Sequence, residues 1–296
     1  MSAVTSSGPG QGPGQGRGAA PLRSFATGAR LGWAVAANWT DPFLFITYSI
    51  ARPVAASLVL VAIVWLVSGD RPTEYIGYLV AGSACWTFVG SGMSGFVWAV
   101  LDDRERYRML KYVVLSPVHL LPFLVGRATT QLVAGAGGFL VTLLVGTLLL
   151  GAQIAVTAIH WPLLLASMAL GLAGVVALGL GVAGLCLTVR RESWSYPEAI
   201  GGALYLLSGA IFPPDVLPSF LQPVTLALPT TWWLEGVRRA LLGHPTQGLL
   251  AGYGDGAVLA ALAVTTAGLA ALSWLMYRSF ERRARQLGLI DQSTGS

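Results

Sequence analysis

Few side chains in this chain could do chemistry, and their spacing forms no catalytic or metal site. The three histidines, His119, His160 and His244, stand far apart and have no other metal ligand at a suitable spacing. Cys85 and Cys186 lie inside apolar runs, where cysteine acts as a small hydrophobic residue, so no disulfide is predicted. We therefore expect no catalytic residue, no metal and no cofactor bound by this chain.

The sequence also lacks the motifs that bind nucleotides. Of the 18 basic residues, Lys111 is the only lysine, and no glycine-rich turn precedes it as a phosphate-binding loop requires. Residues 90–95 (GSGMSG) match the dinucleotide fingerprint by letter, but they lie within an apolar segment rather than at a strand-to-helix turn. The chain is predicted not to hydrolyse ATP by itself.

The composition is that of a membrane protein. The chain is 54% hydrophobic and only 10% charged, and its mean hydropathy of +0.67 is far from that of a soluble domain. The net charge of +5 would suggest nucleic acid in a soluble protein. Here the basic residues fall in short loops beside apolar segments, so they report orientation in the membrane instead.

We predict an all-α membrane protein with six transmembrane helices, because six apolar segments are long enough to cross a bilayer of about 30 Å. The segments are about 45–67, 75–101, 120–150 and 161–187, a fifth from 197 into a proline-rich stretch, and about 257–276. The predicted layout is a disordered tail at 1–20, an amphipathic interfacial helix at 21–41, the six-span domain at 42–279 and a cytosolic tail at 280–296.

The interfacial helix is predicted from a pattern. Apolar residues recur at helical spacing from Leu22 through Phe25 and Ala29 to Trp33, while Arg23 and Arg30 fall on another side. The wider distribution of basic residues sets the orientation. With the N-terminus inside, the external segments hold only Arg71, Arg238 and Arg239, so both termini are predicted to be cytosolic.

Two segments between the spans depart from simple loops. The first is a run of both signs from Asp102 to Lys111, followed by Ser116 and Pro117, which suggests a short helix on the membrane face that meets a protein partner; a solvated loop is the alternative. The second is apolar yet carries five prolines: Pro213, Pro214, Pro218, Pro223 and Pro229. Because proline breaks helices, we predict a segment that enters the bilayer from outside and returns.

Charged residues near the spans are scarce. Arg52 lies in the first span, where reaching the cytosolic headgroups is favoured over lining a transport pathway. Glu198 lies at the start of the fifth span and is the second candidate pathway residue.

These segments resemble those of the type-2 ABC exporter permeases, the family of the daunorubicin-resistance and polysaccharide exporters. The charged run followed by Leu115-Ser116-Pro117 looks like the coupling segment of that family. The signature between spans five and six is matched by residues 208–213 (SGAIFP), Leu217-Pro218, Leu228-Pro229, Glu235, Arg238 and Gly243. The Gly-Thr pair that usually follows the family's coupling charges is absent here.

The resemblance implies a half-transporter. Two permease copies, identical or related, would each sit on a separate cytosolic ABC ATPase subunit that binds ATP and Mg, in a bacterial plasma membrane, with no nucleic-acid partner. A coupling segment (102–118) would dock on the ATPase, through Asp103, Arg104, Glu105, Arg106, Arg108, Ser116 and Pro117. A gate segment (209–243) would close the external side, with Phe212, Pro213, Pro214, Pro218, Pro229, Trp232, Trp233, Glu235 and Arg238.

The expected cargo is an amphipathic small molecule such as a drug, an antibiotic or another secondary metabolite. Export of a polysaccharide or lipid-linked glycan by the same family is the alternative. An ion-coupled secondary transporter is the alternative of a different class, and the scarcity of carboxylates within the spans weighs against it.

Overall fold

The computed structural model describes residues 19–37, 55, 58–59, 62, 73–107, 109–116, 118–152, 154, 158–189, 195–246 and 248–287. Over these ranges the chain forms helices and turns without strands, which confirms the all-helical prediction. The helices in chain order are α1 (Ala19–Ala37), α2 (Thr73–Leu101), α3 (Leu110–Leu115), α4 (Leu120–Leu148), α5 (Trp161–Thr188), α6 (Ser195–Leu207), α7 (Gln222–Ala227), α8 (Pro229–Leu242) and α9 (Asp255–Gln286).

Four of these helices are long and apolar enough to cross a membrane. They are α2, α4, α5 and α9, with 28 to 32 residues in each candidate span, and they coincide with the predicted second, third, fourth and sixth spans. The helix α9 continues to Gln286, so part of the predicted C-terminal tail is helical. The predicted first span at 45–67 falls almost entirely outside the described residues, as do Arg52, Arg108 and Pro117.

The predicted fifth span is shorter than expected. Helix α6 has 13 residues, or about 20 Å at 1.5 Å per residue, which is less than the apolar thickness of a bilayer. It stops because Gly209 takes a left-handed conformation (φ 76°) that turns the chain out of the helix. The count of six spans therefore stays a prediction.

Helix α2 lies at the centre of the bundle and contacts α4, α5, α6 and α8. Small residues on its partners allow the close packing: a Cβ atom on Gly179 of α5 would strike the ring of Phe96, and one on Gly146 of α4 would strike Val80. The register of these contacts shows that α5 runs parallel to α2 and that α4 runs antiparallel to it.

The bundle has two ends, named here by the helices at each. At the α1 end lie α1, α3, the start of α4 and the last turns of α5 and α9. At the α8 end lie α8, the start of α2 and the turn after α6. In the predicted orientation the α1 end faces the cytosol.

Helix α1 runs alongside the first half of α4, in the same direction. The backbone N–H of His119 donates a hydrogen bond to Oγ of Ser24 (3.1 Å). One turn further along, an added Cβ on Gly28 would strike the carbonyl of Phe123, and one on Gly126 would strike the carbonyl of Phe25. The two backbones thus touch through glycines, and the position of α1 at a membrane interface stays a prediction.

We predict that Gly126→Leu separates α1 from α4. The new side chain meets backbone atoms of α1 that cannot move aside, and overpacking of this kind costs about 1–3 kcal/mol. Trypsin cleavage at Arg23 and Arg30 in detergent should become at least about fivefold faster. Gly137→Leu is the matched control, because an added Cβ there meets nothing within 4 Å. Equal cleavage rates for the two variants would contradict the packing described here.

Candidate functional site

The charged residues singled out in the sequence form two buried clusters, one at each end of the bundle. The cluster at the α1 end belongs to the coupling segment (102–118). Here α2 is extended by a π-helical turn, Asp102–Arg106, in which the backbone N–H of Tyr107 donates to the carbonyl of Asp102 at 2.8 Å. The chain then forms the short helix α3.

Asp103 and Arg104 point into the bundle in different directions. Oδ1 of Asp103 accepts a hydrogen bond from Nη2 of Arg127 on α4 at 2.8 Å, and both side chains are almost fully buried. Nη1 of Arg104 donates to the carbonyl of Cys186, at 3.0 Å, and to that of Val189, at 3.4 Å, at the end of α5. Adjacent residues therefore attach the coupling segment to two different long helices.

This placement changes the interpretation of the two charges. The sequence suggested that Asp103 and Arg104 contact a partner protein directly. In the structure both side chains are buried in the helix bundle, where they bind residues distant in the sequence. Arg106 is exposed, and its guanidinium lies 5.6 Å from the centre of the Tyr107 ring. Ser116 is partly buried, and its Oγ donates to the carbonyl of Val113 (2.7 Å).

The exposed surface of the coupling segment is mainly apolar and aromatic. Tyr112 is 66% exposed and Leu115 is 82% exposed. Tyr107, which precedes α3, is 42% exposed. Sequence reasoning missed these residues because it followed the charges. The spacing of three between Tyr112 and Leu115, which puts both on one face of a short helix, is the signal that could have found them.

The cluster at the α8 end belongs to the gate segment (209–243). Its helical pieces are interrupted at prolines, as predicted, and entry into a bilayer stays a prediction. Helix α8 begins with Pro229 at its first position and ends at Leu242. The next residue, Gly243, has a left-handed conformation (φ 79°), and its N–H donates to the carbonyl of Arg239 at 2.9 Å. All of α8 from Pro229 to Leu241 is buried.

Trp232 and Trp233 lie in the core. The indole of Trp233 fills the space above Gly171 of α5, where a Cβ atom would overlap its ring. Trp232 donates through Nε1 to the carbonyl of Leu226 at 2.7 Å and packs edge-on against Tyr253. In the structure both tryptophans hold α8 against its neighbours, and their predicted role at an external gate stays a prediction.

The other predicted gate residues differ in exposure. Phe212 and Pro213 are partly buried, Pro214 is buried and Pro218 is exposed. They form the turns between α6 and α7. Glu198, the described candidate pathway residue, is exposed on α6.

Arg238 joins the turn after α6 to α2. Its Nη2 donates to the carbonyls of Gly209 and Ala210, both at 3.0 Å, and its Nε donates to the carbonyl of Tyr78 at 3.3 Å. The guanidinium also lies 3.5 Å from the centre of the Tyr78 ring, a cation–π contact. The hydroxyl of Tyr78 donates to the same Gly209 carbonyl (2.6 Å).

Glu235 and Arg239, one helical turn apart, hold the loop that leads to α9. Oε1 of Glu235 accepts from Nε of Arg239 at 2.6 Å, and its Oε2 accepts from the hydroxyl of Thr246. Arg239 also donates to the carbonyls of Leu250, at 2.8 Å, and Tyr253, at 2.5 Å. Arg239 was not among the predicted site residues, although its spacing of four from Glu235 was visible in the sequence.

The two clusters donate hydrogen bonds to buried backbone carbonyls and orient helices. Among the described residues, no three His, Cys, Asp or Glu side chains lie together as a metal site would require. Their arrangement can fix the ends of helices against one another. The coupling segment also presents exposed side chains at the surface of the chain.

We predict that Arg239→Gln strongly destabilises the chain, because the carboxylate of Glu235 is then buried without its cationic partner, at about 3–5 kcal/mol. Glu235→Gln combined with Arg239→Gln should recover much of the loss. The measurement is thermal unfolding in detergent, followed by a thiol-reactive dye that reports exposure of the buried Cys85 and Cys186.

The matched control is the pair Glu281 and Arg285, also four residues apart and 2.7 Å between N and O, but with Arg285 about half exposed. Removing Arg285 should change stability by about 0.3–0.5 kcal/mol. Similar losses for Arg239→Gln and Arg285→Gln would contradict a structural role for the buried pair.

Comparison with known proteins is consistent with this architecture. Residues 32–242 match the family described as ABC-2 type transporter. The chain is also similar to Nodulation protein J of Rhizobium leguminosarum bv. trifolii, with 25% identity over 180 residues that cover 58% of this chain and 64% of the relative. The chain thus spans less than two thirds of that relative's length.

Proposed function

The chain belongs to the ABC-2 type transporter family and is a multi-pass membrane protein, and from that premise we propose that it is the permease subunit of an ATP-driven exporter. A separate cytosolic ATPase supplies the energy. The proposed site is a bacterial plasma membrane, with both termini and the α1 end in the cytosol and the α8 end outside. The proposed cargo is an amphipathic small molecule such as a drug, an antibiotic or another secondary metabolite.

The observation that supports this proposal best is the form of the coupling segment. It offers exposed aromatic and apolar side chains, Tyr107, Tyr112 and Leu115, beside the cation Arg106. Such a combination is typical of the centre of a protein–protein interface, where aromatic residues and arginine are enriched. We therefore assign docking of the ATPase to these four residues.

The buried charges have a second role in the proposal. If the coupling segment contacted only the ATPase and not the long helices, movement of the ATPase would displace the segment without displacing those helices. Here Asp103 holds the segment to α4 through Arg127, and Arg104 holds it to the end of α5. Movement of the docked segment is therefore passed to two long helices, so Asp103 and Arg104 act as positioning residues.

One feature of the gate segment supports the proposed cargo class. Trp232 and Trp233 are enclosed in the core, so they do not offer rings for stacking on a sugar. This favours a small amphipathic cargo over the glycan alternative. Stimulation of ATP hydrolysis in the reconstituted complex by one cargo class and not by the other distinguishes the two.

The ion-coupled alternative requires a carboxylate that can bind and release an ion within the membrane. The described carboxylates that are fully buried, Asp103 and Glu235, are each paired with an arginine. Such pairing suits a structural role. Transport driven by an ion gradient without any ATPase would support this alternative.

We predict that Tyr112→Asp combined with Leu115→Asp prevents docking of the ATPase. Both substitutions add a charge to the exposed apolar surface without touching the core. When the chain is expressed with its proposed partner ATPase, co-purification should fall at least about tenfold, since loss of one central contact costs about 2 kcal/mol.

Phe220→Asp is the control, because Phe220 is similarly exposed (74%) but lies at the α8 end, in the gate segment. It should leave co-purification unchanged.

Arg106→Glu tests in the same way whether the cation at this position contributes to docking. Reversal of Arg104 would not test docking, because a carboxylate there would face the carbonyls of Cys186 and Val189. Normal co-purification of the double variant would refute the assigned docking surface.

A second permease copy is the other partner in the proposal. Helix α6 leaves one face exposed, with Glu198, Ala199, Gly202, Ala203 and Leu206 at spacings that repeat every four residues. An added Cβ on Gly202 meets nothing within 4 Å. Small residues on such a face let two helices approach closely in a membrane, and this supports contact between the α6 helices of two copies.

We predict that Gly202→Cys forms a cross-linked dimer on mild oxidation of membranes that contain the chain. The intrinsic Cys85 and Cys186 are buried, so they add little background. Val264→Cys, on the exposed side of α9 (72%), is the control and should remain monomeric. A monomer in both cases, by non-reducing gel, would exclude this face as the contact.

A further inference from the structure

A shallow cleft of about 430 Å³ lies between α1 and α4, apart from both charged clusters. Its walls are Arg30, Trp33 and Ala34 on α1 and Thr129, Thr130 and Val133 on α4. The glycine contacts between Gly28 and Phe123 and between Gly126 and Phe25 hold the two helices together beside it. The cleft therefore lies beside a closely packed pair of helices.

The cleft changes in polarity along its length. Because α1 and α4 run in the same direction, both helices present their polar residues first, Arg30 on one and Thr129 on the other, and their apolar residues next, Trp33 and Val133. Trp33 is 61% exposed, so its ring presents apolar surface along the cleft. A cation followed by an apolar channel matches a headgroup followed by an acyl chain.

The apolar side continues along α4 beyond the cleft. Val133, Gly137, Leu140 and Leu144 are all exposed at helical spacing, and the absence of a side chain at Gly137 leaves a depression between its neighbours. An extended hydrocarbon chain could follow this stripe. A compact soluble ligand would be too short to cover this stripe.

The charge at the entrance decides which amphiphile fits. Arg30 is exposed, and none of the ion pairs among the described residues includes it. Its long apolar stem allows the guanidinium to reach the headgroup region while the helix lies deeper. A negatively charged headgroup is its complement.

From these features we propose that the cleft between α1 and α4 binds one anionic phospholipid of the surrounding bilayer, with the headgroup phosphate on Arg30 and an acyl chain along Trp33, Val133 and Leu140. The lipid lies against both α1 and α4 beside their glycine contacts, and its binding does not depend on which cargo the protein moves. It is thus a site separate from the proposed transport function.

The test is native mass spectrometry of the purified chain, or of its complex with the ATPase, from micelles that hold equal amounts of phosphatidylglycerol and phosphatidylcholine with the same acyl chains. The natural sequence should retain phosphatidylglycerol about fivefold more than phosphatidylcholine. Arg30→Gln should remove this preference, and Arg30→Lys should keep most of it. Ala34→Trp, which fills the cleft, should lower retention of both lipids.

Arg282→Gln is the matched control, because it removes an exposed arginine on α9 at the same end of the bundle. It should leave the preference unchanged. Equal retention of the two lipids by the natural sequence, or an unchanged preference in Arg30→Gln, would overturn the proposal. Displacement of the lipid by soluble glycerol phosphate at equal concentration would also overturn it, since a free anion would then suffice.

Discussion

The structure depends on satisfying the backbone of a helix that stops inside an apolar bundle. In the turn that follows α6, the carbonyls of Gly209 and Ala210 have no helical partner, and lipid or apolar side chains cannot supply one. The guanidinium of Arg238 donates to both and also to the carbonyl of Tyr78 on the central helix. One buried cation thus permits the break in the chain and fixes it to α2.

The same solution is used at the opposite end of the bundle. Arg104 donates to the carbonyls of Cys186 and Val189 where α5 ends, so a second arginine completes the C-terminus of a second helix. A cation is favoured at this position because the unpaired carbonyls carry partial negative charge. Arginine suits both sites better than lysine since its several donors diverge in a plane and can serve more than one carbonyl.

The sequence predicted the long helices well and the roles of the charged residues poorly. Apolar runs of the right length identified α2, α4, α5 and α9, because span length is set by the bilayer. The partners of Asp103 and Arg104 could not be predicted, since Arg127 and Cys186 are distant in the chain and only the packing of the long helices brings them together. Arg238 and Arg239 were counted as external charges, although both are buried and paired, so they do not oppose the proposed orientation.

These contacts connect the two ends through one helix. Helix α5 is attached to the coupling segment at its last turn by Arg104, and just before its first turn the N–H of His160 donates to the carbonyl of Ala240 on α8 at 2.9 Å. Helix α8 in turn carries Arg238, which holds the turn after α6. Because an α-helix is stiff along its axis, a displacement of the coupling segment that leaves these hydrogen bonds intact must also move α8, and with it the loops at the far end.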